Sequence, residues 1–408
     1  MTYATDLVNP LMPLGHWEQS LIFNFNRVFK KLVKGGAAMG PLNGVRVIEI
    51  AGIGPAPCCG MILADLGAEV ILVERQSKNP NAPEVDAQIT GSTAFYKRSK
   101  KSIALDLKQA ESVDTVLRLV ESADVLIEGF RPGVMERLGL GPDVCLALKP
   151  SLVYGRMTGW GQTGPLASAA GHDINYIALS GALYYTGHAG EAPFTPPTVV
   201  GDVAGGAMTL AIGIMAALLS ARSSGEGQVI DAAITDGAAY MMTLMASMRG
   251  AGLLREPRDS SLFSGGAPWY QAFECADGEY VTVGSLEPAF YDELLEKCEL
   301  RDDPDFLNQF DQKTWPRARE SMERLFRTRT RQQWCDLLEG SDVCFAPVLS
   351  LPEAQRHPHN VARKNFVEVD GQMQPSPAPK FSRTTTSAGH VPGKGEHTAE
   401  IMRGLGKR

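Results

Sequence analysis

Val45-Arg-Val-Ile-Glu-Ile50 leads into Ala51-Gly-Ile-Gly-Pro-Ala-Pro57, and after a stretch ending at Leu66-Gly67 comes Glu69-Val-Ile-Leu-Val73. The two aliphatic runs have the β-branched content of buried strands, and the glycines and prolines between them make a turn. The stretch up to Leu66-Gly67 reads as a helix. A strand–loop–helix–strand unit with such short connections is the signature of a parallel α/β sheet. Further strands are expected at Ser102–Leu107, Val125–Gly129 and Leu152–Arg156, each followed by helical or turn-rich sequence.

The pattern changes near residue 265. Trp269–Cys275 and Tyr280–Ser285 flank Ala276-Asp-Gly-Glu279, a hairpin signal, and helices are expected at Ala289–Cys298, Arg317–Phe326 and Arg331–Gly340. The chain therefore divides into an extension (1–39), a large parallel-sheet domain (40–235), a linker helix (236–264), a small α+β domain (265–350) and a C-terminal segment (351–408). The Pro375-Ser-Pro-Ala-Pro379 stretch reads as extended.

The 408 residues hold 44% apolar and 21% charged side chains, which suits two packed domains and excludes wholesale disorder. With 39 Lys+Arg against 46 Asp+Glu the net charge is −7, a poor balance for nucleic-acid binding. The longest apolar run, Val203 to Ala221, carries Gly205, Gly206, Gly213 and Thr209 without a basic flank. It reads as a buried Gly/Ala-rich helix, and no stable membrane insertion is expected. Seven scattered cysteines without a secretory signal argue for reduced thiols and a cytoplasmic protein. No His/Cys cluster has zinc spacing, so no metal site is expected.

Gly52-x-Gly54 invites a dinucleotide reading, but Pro57 stands where the third glycine would be. Glu74-Arg75 closes the second strand, Lys97-Arg-Ser-Lys-Lys101 precedes the third, and Arg131 and Arg137 flank the fourth. Each cation alone fits a solvated surface. Together, at the edges of consecutive strands, they suggest a ligand carrying phosphates, and coenzyme A fits.

Several motifs converge on one family. Gly40-Pro-Leu-x-Gly-Val-Arg-Val-Ile-Glu49, Asp65-Leu-Gly-Ala-Glu-Val70, Leu105-Asp-Leu-Lys108, Arg131-Pro-Gly-Val134 and Gly225-x-Gly-Gln-Val-Ile-Asp231 resemble the class III CoA-transferase superfamily. Arg156-Met-Thr-Gly-Trp-Gly-Gln-Thr-Gly164 with Ala170-Gly-His-Asp-Ile-Asn-Tyr176 resembles its α-methylacyl-CoA racemase branch. The resemblance runs from about residue 40 to the end. It implies a Rossmann-like large domain, a smaller α+β domain, two chains interlocked as a homodimer, and a tail that returns to the large domain. It implies an acyl-CoA substrate and no separate cofactor, with CoA contacts at Ile53, Arg75, Arg98, Lys101, Gly129, Phe130, Arg131 and Arg137.

The implied reaction interconverts (2R)- and (2S)-2-methylacyl-CoA thioesters by removing the α-proton and returning one to the opposite face. That requires two acid/base groups, one holding a proton while the other accepts. The matching positions are His172 and Asp202, with Glu287 supporting the histidine. Read from the residues alone, the better fit is a hydrogen-bonded core histidine for His172 and a helix N-cap for Asp202; the family match reverses both. As an acid, Asp202 needs burial or a negative neighbour to raise its pKa. Asp173 is expected to cap its own helix. Met241, Met245 and Met248 share one helical face and suit either an acyl chain or core packing.

The alternative is a CoA-transferase in which Asp202 attacks the thioester as nucleophile. The Gly171-His172 form favours the racemase. The first 39 residues have no counterpart in the family pattern. Their Leu21–Lys34 stretch is amphipathic, and Met39 stands where the resemblance begins, so an accessory arm or an upstream start is expected there.

Overall fold

In a computed structural model of the chain, residues 40–76, 89, 91–254, 258 and 261–406 are described. Strand β1 (Arg46–Ile50) lies between β2 (Glu69–Arg75) and β4 (Val125–Glu128). With β3 (Lys101–Leu105), β5 (Val153–Thr158) and β6 (Gln228–Ala233) they form a six-stranded sheet ordered β3-β2-β1-β4-β5-β6. All five pairings are parallel. The expected α/β class is therefore met, and β6 adds a strand that begins inside the Gly225–Asp231 motif and runs on to Ala233. The reading of Ser102–Leu107 overruns by two residues, because β3 ends at Leu105.

Successive residues of β1 face opposite layers, as the pleat requires. Val47 packs with Leu63, Leu210 and Ile214, whereas Ile48 packs with Val116, Leu119 and Leu405. The first layer holds α1 (Pro55–Asp65), the second α2 (Ala110–Val120). With both faces covered, the central strands are apolar throughout rather than alternating. Each fully buried leucine or isoleucine contributes about 1.5–3 kcal/mol.

Helix α1 starts at Pro55, inside the stretch read as loop. Proline is tolerated in a first turn because its missing N–H would have no partner there. After β4 come the short helices α3 (Val134–Arg137) and α4 (Pro142–Leu148), and after β5 comes α5 (Asp173–Leu179). The apolar run forms a π-helical segment, Val199–Met208, continued by α6 (Thr209–Ser224). It packs on β5 and β6 through Leu210, Ile214 and Ala217. Met208, Ile212 and Leu219 stand within about 40° of one another on its outer face and are 50–70% exposed, so the helix is buried on one side only. By length and hydropathy Val199–Ser224 could cross a membrane, but its inner face belongs to the core of the sheet.

Helices α7 (Ile234–Met241) and α8 (Thr243–Gly250) follow β6. Strands β7 (Tyr270–Glu274), β8 (Tyr280–Gly284) and β9 (Phe345–Pro347) then make a small antiparallel sheet. Helices α9 (Pro288–Lys297), α10 (Trp315–Phe326) and α11 (Arg331–Leu338) cover it around Trp269, Phe273, Met322 and Trp334. Beyond α12 (Leu351–Arg356) and α13 (Pro358–Arg363), β10 (Phe366–Val369) and β11 (Gln372–Pro375) form a hairpin through Asp370-Gly371, both with positive φ. The sequence reading missed this hairpin, although Asp-Gly between alternating residues is a strong signal.

The chain then runs back along β3. Ser102 donates its N–H to His397 Nδ1 at 3.2 Å, and α14 (Thr398–Leu405) inserts Ile401 and Leu405 into the second layer. The expectations for residues 1–39 lie outside the described residues.

Candidate active site

Strands β1 and β4 are parallel neighbours, but from their carboxyl ends the chain crosses to β2 on one side and to β5 on the other, towards opposite edges of the sheet. Such a reversal opens a crevice beyond the carboxyl ends of the two strands. Gly52 after β1 and Gly129 after β4 meet there, with 4.0 Å between a Cβ built on Gly52 and the Gly129 Cα. A side chain on Gly129 would also crowd Ala56 Cβ at 3.1 Å, so glycine keeps the two loops together.

Ile53 stands exposed in this crevice, and half-buried Phe130 donates its N–H to Glu128 Oε2 at 2.7 Å. Arg75, Arg131 and Arg137 are exposed at the ends of β2, β4 and α3. The Arg131 charge reaches the Tyr176 hydroxyl. Among the described residues, none of these positions is enclosed by a carboxylate of the fold in the way the basic cluster before β3 is.

The cations of that cluster are held by such carboxylates. Arg98 is 3% exposed and is held by Asp65 Oδ2 at 2.6 Å, Gln374 Oε1 at 2.7 Å and the Pro375 carbonyl at 2.9 Å. Lys100 is buried against Glu49 at 2.6 Å, and Lys97 pairs with Glu74 at 2.6 Å. Lys101 pairs with Glu69 and Glu400. Lys101 also opens β3 in register with Ile71, well short of the carboxyl edge where Arg75 pairs with Leu105. The expected phosphate contacts of Arg98 and Lys101 are corrected accordingly. Their charges neutralise carboxylates of the fold, and Arg98 fastens the C-terminal segment to α1.

Asp202 sits in the first turn of the π-helical segment, a rare geometry that recurs at functional sites. Its Oδ2 lies 3.1 Å from the position of a Cβ on Gly54, whose φ is +68°. The carboxyl thus faces the start of α1 and the crevice. Burial, then the neighbouring Asp173 charge, push its pKa up to about 6, against a smaller lowering by His172. Cys58 and Tyr96 stand within reach of its field.

His172 is exposed at the N-cap of α5, where its N–H donates to Asn175 Oδ1 at 3.0 Å. Its turn is set by Tyr176, whose hydroxyl donates to the Gly171 carbonyl and whose ring meets Trp160 edge-on at 4.7 Å. A side chain on Gly159 or Gly171 would collide with the Tyr176 ring. His172 and Asp202 are therefore brought together across a 30-residue separation by Asp173, which accepts the Asp202 N–H at 2.7 Å. Asp173 caps the π-helical segment rather than its own helix, contrary to the sequence reading.

Glu287 is exposed on the small sheet's side, at the N-cap of α9, where its charge acts on the Cys344 thiol. Among the described residues, no hydrogen bond or ion pair joins it to His172 within one chain. The methionine stripe is broken, because α7 ends at Met241 and α8 begins at Thr243. Met248 is buried, Met242 and Met245 are half-buried and Met241 is exposed. A separate cleft lined by Glu136, Pro142, Val144, Arg156 and Asp231 lies on the β5–β6 side and holds none of the expected catalytic positions.

The family model for CoA-transferase family III matches residues 42–398. The chain belongs to CoA-transferase family III. Within that family it is 42% identical over 371 residues to a mouse alpha-methylacyl-CoA racemase, covering 90% of this chain and 93% of that one. Against the human alpha-methylacyl-CoA racemase the identity is 38% over 368 residues, with 90% and 93% covered. A mouse succinyl-CoA:glutarate CoA-transferase is 30% identical over 380 residues, covering 90% and 86%. Among solved structures, a CAIB/BAIF family protein from Brucella suis superposes with a TM-score of 0.75 at 25% identity, covering 90% of this chain and all of that one.

Proposed function

We propose that the chain is a 2-methylacyl-CoA racemase acting by 1,1-proton transfer, with His172 and Asp202 as the two acid/base groups. The observation that carries the reading is geometric: Asp173, next to the exposed His172, accepts the Asp202 N–H at 2.7 Å, and the Asp202 carboxyl faces Gly54 at the crevice. The greater identity to the racemases than to the transferase supports the same reading.

In one direction neutral His172 takes the α-proton, and the C–H electron pair passes to the thioester oxygen as an enolate. Protonated Asp202 then delivers its proton to the other face of the same carbon. The reverse direction exchanges the roles. Burial and the Asp173 charge raise the Asp202 pKa towards neutrality, which favours having both of its protonation states in play. The thioester stays intact, so the reaction needs no acceptor acid. Ile53, Gly129, Phe130 and the arginines Arg75, Arg131 and Arg137 frame the crevice as the CoA-binding surface. Guanidinium groups suit phosphates, and the glycines admit the ligand close to the backbone.

The reading extends to a homodimer. The outer face of Met208, Ile212 and Leu219 is apolar, and Tyr240 and Leu244 of the helices after β6 are also exposed. Glu287 would support His172 from the partner subunit. All seven thiols are free, which suits a reducing compartment such as the cytoplasm.

Incubation with a single-epimer 2-methylacyl-CoA in heavy water tests the reaction. Racemisation with deuterium at the α-carbon is expected, and its loss in His172→Ala and in Asp202→Ala with CoA binding retained. Transfer of CoA to an added carboxylate without α-exchange would instead favour Asp202 as a nucleophile.

A further inference from the structure

We propose that Asp173 is the positioning residue of this site: one oxygen of its buried carboxylate fixes the backbone at Asp202, and its charge acts on the Asp202 carboxyl. The inference rests on the proton-transfer reading of Asp202 and deepens it.

Four observations converge. Asp173 is only 4% exposed, and its Oδ1 accepts the Asp202 N–H at 2.7 Å. Its Oδ2 is buried without a hydrogen-bond partner. A carboxylate oxygen left unpaired in the interior costs far more than one in water. A cap for the π-helical segment needs only one acceptor, and a serine, threonine or asparagine would supply it without a buried charge. Gly201 makes the contact possible, because a Cβ there would collide with Asp173 Oδ1.

The electrostatic surroundings single out Asp173. Helix α5 brings His172, Asp173 and Tyr176 to Asp202; α1 brings Cys58, and the turn Phe95–Lys97 brings Tyr96. Among the described residues, the charges that shift Asp202 are Asp173, which raises its pKa, and His172, which lowers it. α6, α7, β5 and β6 also pack on the segment, yet no charge from them is among those shifting Asp202. A like charge at short range keeps a proton on Asp202 at higher pH than burial alone would. The hydrogen bond holds that carboxyl at the crevice while the charge readies it as an acid.

The test uses Asp173→Asn in the full chain. The asparagine oxygen still accepts the Asp202 N–H, so melting temperature should stay close to wild type while the charge is lost. Difference infrared spectra against Asp202→Asn in the same background isolate the protonated carboxyl band of Asp202, and its pH titration needs no substrate. The midpoint is expected to fall by about one unit. With single-epimer thioester, the limb of the pH–exchange profile set by Asp202 should shift by the same amount. At neutral pH, where Asp202 is the acid, kcat should drop roughly tenfold and KM stay within about twofold.

An unchanged midpoint in folded Asp173→Asn would overturn the proposal. Should that variant fail to fold, Asp173→Ser keeps an acceptor without the charge and is read the same way. Absence of α-exchange in the wild type would sink the racemase reading alone, since the infrared midpoint still judges Asp173.

Discussion

Arg98 and Arg75 stand 23 residues apart and look alike in the sequence, yet their surroundings separate them. Arg98 is enclosed by Asp65, Gln374 and the Pro375 carbonyl, with both side chains of the Arg98–Asp65 pair under a tenth exposed. Truncation leaves a buried carboxylate without its partner, which costs about 3–5 kcal/mol. Arg98→Ala should therefore lose that much stability in urea titration, and CoA affinity measured on whatever fraction folds should be unchanged. Arg75→Ala, at an exposed strand end, should leave the urea midpoint in place and weaken CoA binding severalfold. Equal effects on stability would contradict the assignment of the two arginines. The sequence placed both at strand edges. It held no sign of the partner of Arg98, because Gln374 and Pro375 lie more than 270 residues away.

At the scale of elements, the Asp202 segment depends on close packing between Val199–Met208, α1 and α7. Gly206 lets Pro55 approach, with 2.8 Å between its Cβ and one built on Gly206, and Gly237 of α7 lies against the Gly205 carbonyl. A methyl group on Gly237 would overlap that backbone oxygen, which cannot swing aside as a side chain could. Gly237→Ala should cost roughly 1–3 kcal/mol in chemical denaturation and lower α-exchange, because relief requires the Asp202 segment to shift. Unaltered stability and exchange would show that the helices separate freely. The apolar Gly/Ala run announced a packed helix. Its π-helical opening and one exposed face were not legible, since both arise from what α1, α5 and α7 place against it. The break at Met242 likewise went unread, because the methionine spacing fits one continuous helix.

At the scale of the molecule, the lack among the described residues of any hydrogen bond or ion pair between Glu287 and His172 within one chain makes the shared-site dimer testable. Co-expressed His172→Ala and Glu287→Ala chains should form some mixed dimers. If each site joins one chain's His172 to the other's Glu287, every mixed dimer holds one intact site, and random pairing restores about a quarter of wild-type exchange. If the site lies within one chain, the mixture stays as inactive as either variant alone.

The sequence by itself determined the parallel α/β sheet, the antiparallel unit after residue 265 and the family, and through the family motifs it singled out His172 and Asp202 as candidates. These were legible because strand periodicity, turn glycines and short motifs are local, written within a few residues of one another. The tertiary structure alone decided which cations are free and which are consumed by Glu49, Asp65, Glu69 and Glu74. It alone showed that Asp173 reaches across to Asp202, and that β3 is where the tail, expected to return to the large domain, docks. Those outcomes depend on desolvation and on partners distant in sequence, and a carboxylate's proton affinity follows from what folding places beside it.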